Sequence, residues 1–119
     1  MSLLIQLQIK VGQYSETSNG KWLKDFDWSG VSVAFKDDLP GYIAGYYSFG
    51  GIVLLRADVS TIFPIYVHEL RHRWQWKKHP LKYIIGKLYR PLIENDADRQ
   101  QQNADDWFCS DMDKKNLEG

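Results

Sequence analysis

The centre of the chain reads Ile65-Tyr66-Val67-His68-Glu69-Leu70-Arg71-His72-Arg73-Trp74. Apolar residues recur in and just before this segment at spacings of four, three and four, which is the period of a helix with one buried face. These residues are Phe63, Val67, Leu70 and Trp74. The two histidines fall on the opposite side, so the segment predicts a helix that packs by one face and presents its histidines in a cleft.

The ends of this helix are marked in the sequence as well. Ser60 and Thr61 are residue types that cap helix N-termini, and Pro64 is compatible with an early turn. Pro80 cannot continue a helix and marks its end. We therefore expect the helix to span residues 61–78.

His68-Glu69-Leu70-Arg71-His72 is a complete H-E-x-x-H motif. Residues four apart lie on the same helix face, so His68 and His72 can direct two imidazole nitrogens at one zinc ion. Glu69 then lies beside the metal, where its carboxylate can take a proton from a bound water. The alternative is a pair of surface histidines that bind no metal, but the apolar helix face opposite them favours a zinc site.

A catalytic zinc site needs a third protein ligand and keeps a fourth position for water. Cys109 and His79 are the soft candidates, but His79 does not fit the spacing H-E-x-x-H-x-x-G-x-x-H, since positions 75 and 78 are not Gly and His. Glu94 is the better candidate, because the 94 − 72 = 22 positions after His72 allow a turn and a second helix. Asp98 follows one helical turn later and can orient a ligand histidine.

His68-Glu69-x-x-His72 followed by Glu94-x-x-x-Asp98 resembles the signature of the gluzincins, the thermolysin-like zinc metallopeptidases. The short chain is similar to the minimal, single-domain minigluzincins, and the resemblance covers roughly residues 45–108. It implies that His68, His72 and Glu94 bind zinc and that Glu69 is the general base and acid. It also implies that Asp98 orients a ligand histidine.

The function that this resemblance implies is zinc-dependent hydrolysis of peptide bonds by a metalloendopeptidase acting on a peptide or protein. The family stabilises the oxyanion with a Tyr or His, and the spacing leaves Tyr83 and Tyr89 both open. The alternative function is a catalytically weak or latent zinc-binding module of phage-like or secretion machinery. In a latent enzyme Cys109 would cap the zinc as a thiolate, whereas we favour a buried apolar position for it.

Composition fits one minimal domain over residues 1–119. The chain is 44% hydrophobic and 14% aromatic, which is enough for one packed core. Cys109 is the only cysteine, so no intramolecular disulfide can form. With no secretory signal visible, this predicts a cytoplasmic protein. Formal net charge is zero, so we expect neither a membrane nor a nucleic acid as a partner.

Charge is nevertheless unevenly distributed along the chain. Residues 71–90 contain seven basic residues and no acidic one, whereas residues 94–118 contain eight of the fifteen acidic ones. We interpret this as a basic connection beside an acidic helix, each partly compensating the other. A nucleic-acid contact is the alternative, which the balanced net charge disfavours.

The remaining sequence predicts a small α+β domain, with a mostly antiparallel sheet packed on the H-E-x-x-H helix and on a second ligand-bearing helix. Alternating apolar residues and the turn signal Gly50-Gly51 locate the strands. The predicted strands are 3–11, 31–35, 42–49 and 52–56. The predicted later segments are a short helix or connection at 81–89, the second ligand helix at 91–109, and a polar flexible tail at 110–119.

The hairpin formed by the predicted strands 42–49 and 52–56 directly precedes the zinc helix, and strand 42–49 is the predicted edge strand. An exposed edge strand beside a zinc site can pair with an extended peptide, as an edge strand does in the gluzincins that this chain resembles. Tyr46, Tyr47 and Phe49 are the predicted substrate-binding residues on it. Aromatic residues that only pack the sheet are the alternative.

Overall fold

The computed structural model has an α+β fold and describes residues 2–41, 43–48 and 51–118, the last eight of these by their backbone alone. Within these residues it contains four α-helices, one 3-10 turn at Lys21–Leu23 and one three-stranded sheet. The elements in chain order are α1 (Leu3–Tyr14), β1 (Ser32–Lys36), β2 (Gly45–Ser48), β3 (Gly51–Leu55), α2 (Val59–Lys78), α3 (Pro80–Leu88) and α4 (Pro91–Glu118).

Helix α2, which carries the H-E-x-x-H motif, lies at the centre and contacts the other three helices as well as β2 and β3. The predicted apolar face is confirmed, because Phe63, Val67 and Leu70 are fully buried and Trp74 packs partly buried against the core. The helix begins two residues earlier than predicted. Its N-cap is Asp58, which takes the place predicted for Ser60 or Thr61.

Residues 3–11 form part of helix α1, so the strand predicted there was wrong. Positions 3, 7 and 11 satisfy a period of two and also, approximately, a period of 3.6, which makes the alternation ambiguous. The helix buries Leu7, Val11 and Tyr14, spaced by four and three. Ile5 and Ile9, which a strand would have buried, are 52% and 44% exposed.

The three strands form a mixed sheet in the order β1-β3-β2, which corrects the prediction of a mostly antiparallel one. β3 pairs antiparallel with β2, as the hairpin predicts, and parallel with β1. β2 is therefore an edge strand. It covers 45–48 of the predicted range 42–49, and Tyr42, Phe49 and Gly50 lie outside the described residues.

The last two helices follow α2 directly. α3 packs closely on α4, because Gly86 has no β-carbon and one placed there would overlap the side chain of Ile93. The backbone of α4 continues as helix through Glu118, nine residues beyond the predicted end of the second ligand helix at residue 109. Among the described residues, no helix combines the length and apolar character that a bilayer span requires.

Candidate metal centre

His68, His72 and Glu94 meet at one point between α2 and α4. The Nε2 atoms of the two histidines lie 3.2 Å apart. One carboxylate oxygen of Glu94 lies 3.2 Å from Nε2 of His68, and the other lies 3.2 Å from Nε2 of His72. The prediction that Glu94 joins the two histidines is thus confirmed as a spatial arrangement that could hold a metal ion.

The donor set and its dimensions fit a zinc ion. A tetrahedral zinc with bonds of about 2.0–2.1 Å holds its ligand atoms about 3.3–3.4 Å apart, close to the 3.2 Å separations found here. Two imidazoles and one carboxylate are also a ligand set that catalytic zinc sites use. A cation at the meeting point would be attracted by all three groups.

The hydrogen bonds of His72 prepare it to be a ligand. Its Nδ1 lies 2.9 Å from the side-chain oxygen of Gln75. The amide nitrogen of Gln75 donates to the carbonyl of Ile93 and to the carboxylate of Asp96, both at 2.9 Å. The oxygen of Gln75 therefore faces His72 as an acceptor, and Nδ1 of His72 carries the proton. This leaves the lone pair of Nε2 directed at the metal position.

Asp96 connects this hydrogen-bond network to the guanidinium of Arg71. Its carboxylate accepts hydrogen bonds from Arg71 at 2.7 and 3.2 Å, and the guanidinium of Arg71 also lies over the ring of Trp74. Burial raises the pKa of Asp96, but the hydrogen bonds from Arg71 and Gln75 outweigh it and lower the pKa. The chain Arg71–Asp96–Gln75–His72 was not predicted from the sequence. The sequence feature that could have indicated this chain is Gln75, a polar residue three positions after His72 on the same helix face.

We expect Gln75→Leu to weaken zinc affinity by about 10- to 100-fold, because partners that orient a ligand histidine typically contribute that much. The substitution keeps the side-chain size while removing the acceptor for Nδ1 of His72. Zinc affinity would be measured by competition with a chromophoric chelator. Gln102→Leu, an exposed glutamine on α4, is the matched control. An unchanged affinity in a stably folded Gln75→Leu protein would show that this network does not orient His72.

Asp98 lies beside His68, as predicted, with its Oδ1 atom 3.3 Å from Nδ1 of the histidine. The contact is electrostatic, because the alignment does not meet hydrogen-bond geometry, and Nδ1 of His68 is without a hydrogen-bond partner in the described part of the chain. The Asp98 side chain is 64% exposed, whereas Gln75 is buried. Gln75 therefore holds His72 more firmly than Asp98 holds His68.

The charges of the site favour an ionised Glu94. When Nε2 of His68 and of His72 is protonated, each donates a hydrogen bond to the Glu94 carboxylate, which holds the pKa of Glu94 well below its ordinary range. A bound metal ion would replace these two protons on Nε2. Burial lowers the pKa of His68, but its hydrogen bond to Glu94 and the nearby acidic charges outweigh burial, so the pKa is raised. The carboxylate is thus available as an anionic ligand, and the neighbouring imidazoles attract its charge.

Glu69 lies in the wall of the same cleft and is only 6% exposed. Burial raises its pKa, and this outweighs the opposing effect of the neighbouring His68 and His72. A carboxylate with a raised pKa binds a proton more readily than a free one, as a general base at neutral pH requires. Glu69 is not among the three clustered ligand residues, which leaves its carboxylate free to act on a water.

The cleft that contains these residues has a volume of about 660 Å³ and is bounded by α2, β2, α3 and α4. Tyr46 and Tyr47, predicted to bind substrate, line it from β2. Phe49, the third residue of that prediction, lies outside the described residues. The prediction that an edge strand borders the site is therefore confirmed for β2.

The two tyrosines left open as oxyanion stabilisers differ sharply in position. Tyr83 lines the cleft, is 8% exposed and contacts the ring of His72 edge-on, with centroids 6.3 Å apart. Burial raises the pKa of Tyr83 to about 12, so its hydroxyl stays protonated at neutral pH. Tyr89 is 61% exposed and is not part of the cleft lining.

Cys109 does not belong to the site. Its side chain is exposed, so the prediction of a buried position was wrong. It follows Glu94 by 109 − 94 = 15 positions on the same helix, which corresponds to about 22 Å at the rise of an α-helix. A cap on the metal by this thiolate is therefore excluded in this structure.

Comparison with protein-family models, with curated proteins and with solved structures found no match to the chain. The relation to the gluzincins therefore stays a prediction based on the motif His68-Glu69-x-x-His72 and on its geometry with Glu94.

Proposed function

We propose that the protein is a zinc-dependent metalloendopeptidase of gluzincin type. The observation that carries this proposal is the convergence of His68, His72 and Glu94 beside the buried carboxylate of Glu69, in one cleft bordered by an edge strand. A structural zinc site is usually closed by four protein ligands, whereas three ligands and a neighbouring base characterise a catalytic one.

Each protein group has a defined role in this proposal. Zinc, when bound, makes a coordinated water acidic and polarises the substrate carbonyl. The carboxylate of Glu69 accepts the proton of the attacking water and then delivers it to the leaving amine. Gln75 keeps Nδ1 of His72 protonated, which holds its Nε2 as a ligand.

The substrate in this proposal is an extended peptide. Among the described residues β2 pairs with β3 alone, so its other side offers unpaired backbone groups to a peptide strand. Residues 43–47 of this segment line the metal cleft, which places the free edge next to the ligands. A peptide bound by backbone pairing would be held with one of its carbonyls near the metal.

We expect Tyr83→Phe to lower kcat by about 100-fold or more with little change in KM, since removal of one oxyanion donor typically has this effect. Its hydroxyl is the only group lost, and the ring packing on His72 is retained. Steady-state kinetics on a cleaved peptide would provide the test. Tyr89→Phe, an exposed tyrosine beyond the cleft, should retain full activity, and equal rates for the two variants would exclude Tyr83 as the donor.

The function itself is tested by incubating the zinc-loaded protein with a broad peptide library and analysing the products by mass spectrometry. The expected result is internal cleavage that stops on chelation and returns with one equivalent of zinc. If the zinc-loaded protein leaves every peptide intact, the peptidase assignment fails and the zinc-binding interaction module takes its place.

A further inference from the structure

Helix α3 has an apolar face that the described residues leave exposed. Leu81, Ile84, Ile85 and Leu88 are 75%, 51%, 56% and 89% exposed. Their spacing of three, four and seven positions from Leu81 places all four on one side of the helix. Single exposed apolar residues are common on protein surfaces, but a continuous exposed face marks an interaction site.

The opposite side of α3 makes its contacts with the rest of the protein. Tyr83 and Gly86 are the buried residues of this helix, and Gly86 packs on Ile93 of α4. At about 100° per residue, Lys82 and Lys87 lie about 110° to either side of the centre of the exposed apolar face. The face is thus bordered by one lysine on each flank.

The chain segment that contains this face is basic. The seven basic and no acidic residues of segment 71–90 include Lys78 before α3 and Arg90 after it, both exposed. The zero net charge of the chain arises from acidic residues elsewhere, eight of them within residues 94–118. The expectation of no membrane partner was based on the net charge of the whole chain. That net charge does not show that basic and acidic residues lie in different segments.

We propose that α3 binds the surface of an anionic membrane, with its apolar face inserted among the headgroups and its flanking lysines at the lipid phosphates. An apolar helix face with lysines at its borders is typical of helices that lie in the interface plane. Each basic residue near an anionic leaflet adds to the attraction. Because Tyr83 and Lys87 of α3 also line the metal cleft, the cleft would open next to the membrane.

The charges around α3 favour an anionic membrane over two other binding partners, a second copy of the chain and a nucleic acid. A second copy would bring the same lysines and arginines against this face, so like charges would oppose self-association. A nucleic acid would neutralise the lysines but would leave four aliphatic side chains exposed to water. An anionic lipid surface satisfies both the charged borders and the apolar centre.

The test is co-sedimentation of the 119-residue chain with vesicles of phosphatidylcholine, alone or mixed in equal parts with phosphatidylglycerol. The protein is expected to sediment with the mixed vesicles and to stay in solution with phosphatidylcholine alone. Leu81→Ser/Leu88→Ser should reduce partitioning by about tenfold or more, since the two most exposed leucines would be lost from the interface. Lys82→Gln/Lys87→Gln should reduce it by about tenfold as well.

The matched control is Ile5→Ser/Ile9→Ser, which removes two exposed isoleucines from α1 and should bind vesicles like the unmodified protein. Leu81 and Leu88 are outside the metal cleft, so an unchanged zinc content would show that the variant is folded. No sedimentation with the mixed vesicles would overturn the proposal and favour an acidic protein as the occupant. Full vesicle binding by Leu81→Ser/Leu88→Ser would overturn it too.

Discussion

His72→Ala is expected to lower the zinc affinity by roughly a hundredfold or more, so that the purified protein retains less than one zinc per chain after gel filtration. Zinc sites with four protein ligands bind with about 10–16 kcal/mol, so the loss of one ligand corresponds to about 3 kcal/mol, roughly a hundredfold or more in affinity. His72 is also the ligand that Gln75 orients, so the variant loses the best-supported donor of the site. Metal content after gel filtration, measured by inductively coupled plasma mass spectrometry, provides the readout.

His79→Ala is the matched control for this experiment. His79 lies between α2 and α3, packs against the ring of Trp74 and is outside the ligand cluster. It should keep one zinc per chain. Equal zinc content in the two variants would place the metal elsewhere, and loss of zinc in both would indicate that the two substitutions act through folding, which thermal melting would reveal.

Glu69→Gln is expected to lower kcat by about 10²- to 10⁴-fold, the usual contribution of a positioned general acid–base group. Glutamine has nearly the same shape as glutamate but cannot take a proton from water. Because Glu69 is separate from the three clustered ligands, zinc content should remain at one per chain. The measurement combines steady-state peptide cleavage with metal analysis on the same preparation.

Glu16→Gln, an exposed glutamate paired with Lys24 on the surface, controls for a general effect of charge removal and should leave kcat unchanged. Retention of full activity by Glu69→Gln would remove the proposed base from the mechanism. If activity and zinc disappeared together, Glu69 would have a role in holding the metal, and its assignment as a base alone would be wrong.

The central helix and most of the ligand cluster could be predicted because their signals are local. Helical period fixes Phe63, Val67 and Leu70 on the buried face and the two histidines on the other. Glu94 lies far along the chain, yet it was predictable. A catalytic zinc needs a third ligand, and the distance from His72 to Glu94 is long enough for a turn and a second helix that packs back against the first. The edge position of β2 was predictable from its hairpin.

Features that depend on pairing between distant segments were not predictable in the same way. The apolar positions of α1 satisfy two periods, and only packing against α2 selects the helix, with Leu7 and Val11 inward. The parallel pairing of β1 with β3 has no local signal, since it arises when β3 takes the central position of the sheet, between β1 and β2. Asp96 and Gln75 each look like ordinary polar helix residues until α2 and α4 come together.

The polar segment 110–118 illustrates a different limit. Its composition resembles that of a tail, but polar residues such as Lys and Glu are also good helix formers, so composition alone cannot distinguish the two. The whole-chain charge misleads in a similar way, because an average of zero hides a basic α3 region and an acidic α4.

The most direct test of the metal centre is anomalous diffraction at the zinc edge from crystals of the zinc-loaded protein. We predict one strong anomalous peak about 2.0–2.2 Å from Nε2 of His68, Nε2 of His72 and a carboxylate oxygen of Glu94. The fourth position should hold a water that faces Glu69. A peak at other residues, or full closure of the site by a fourth protein ligand, would contradict the assignment of a catalytic zinc centre.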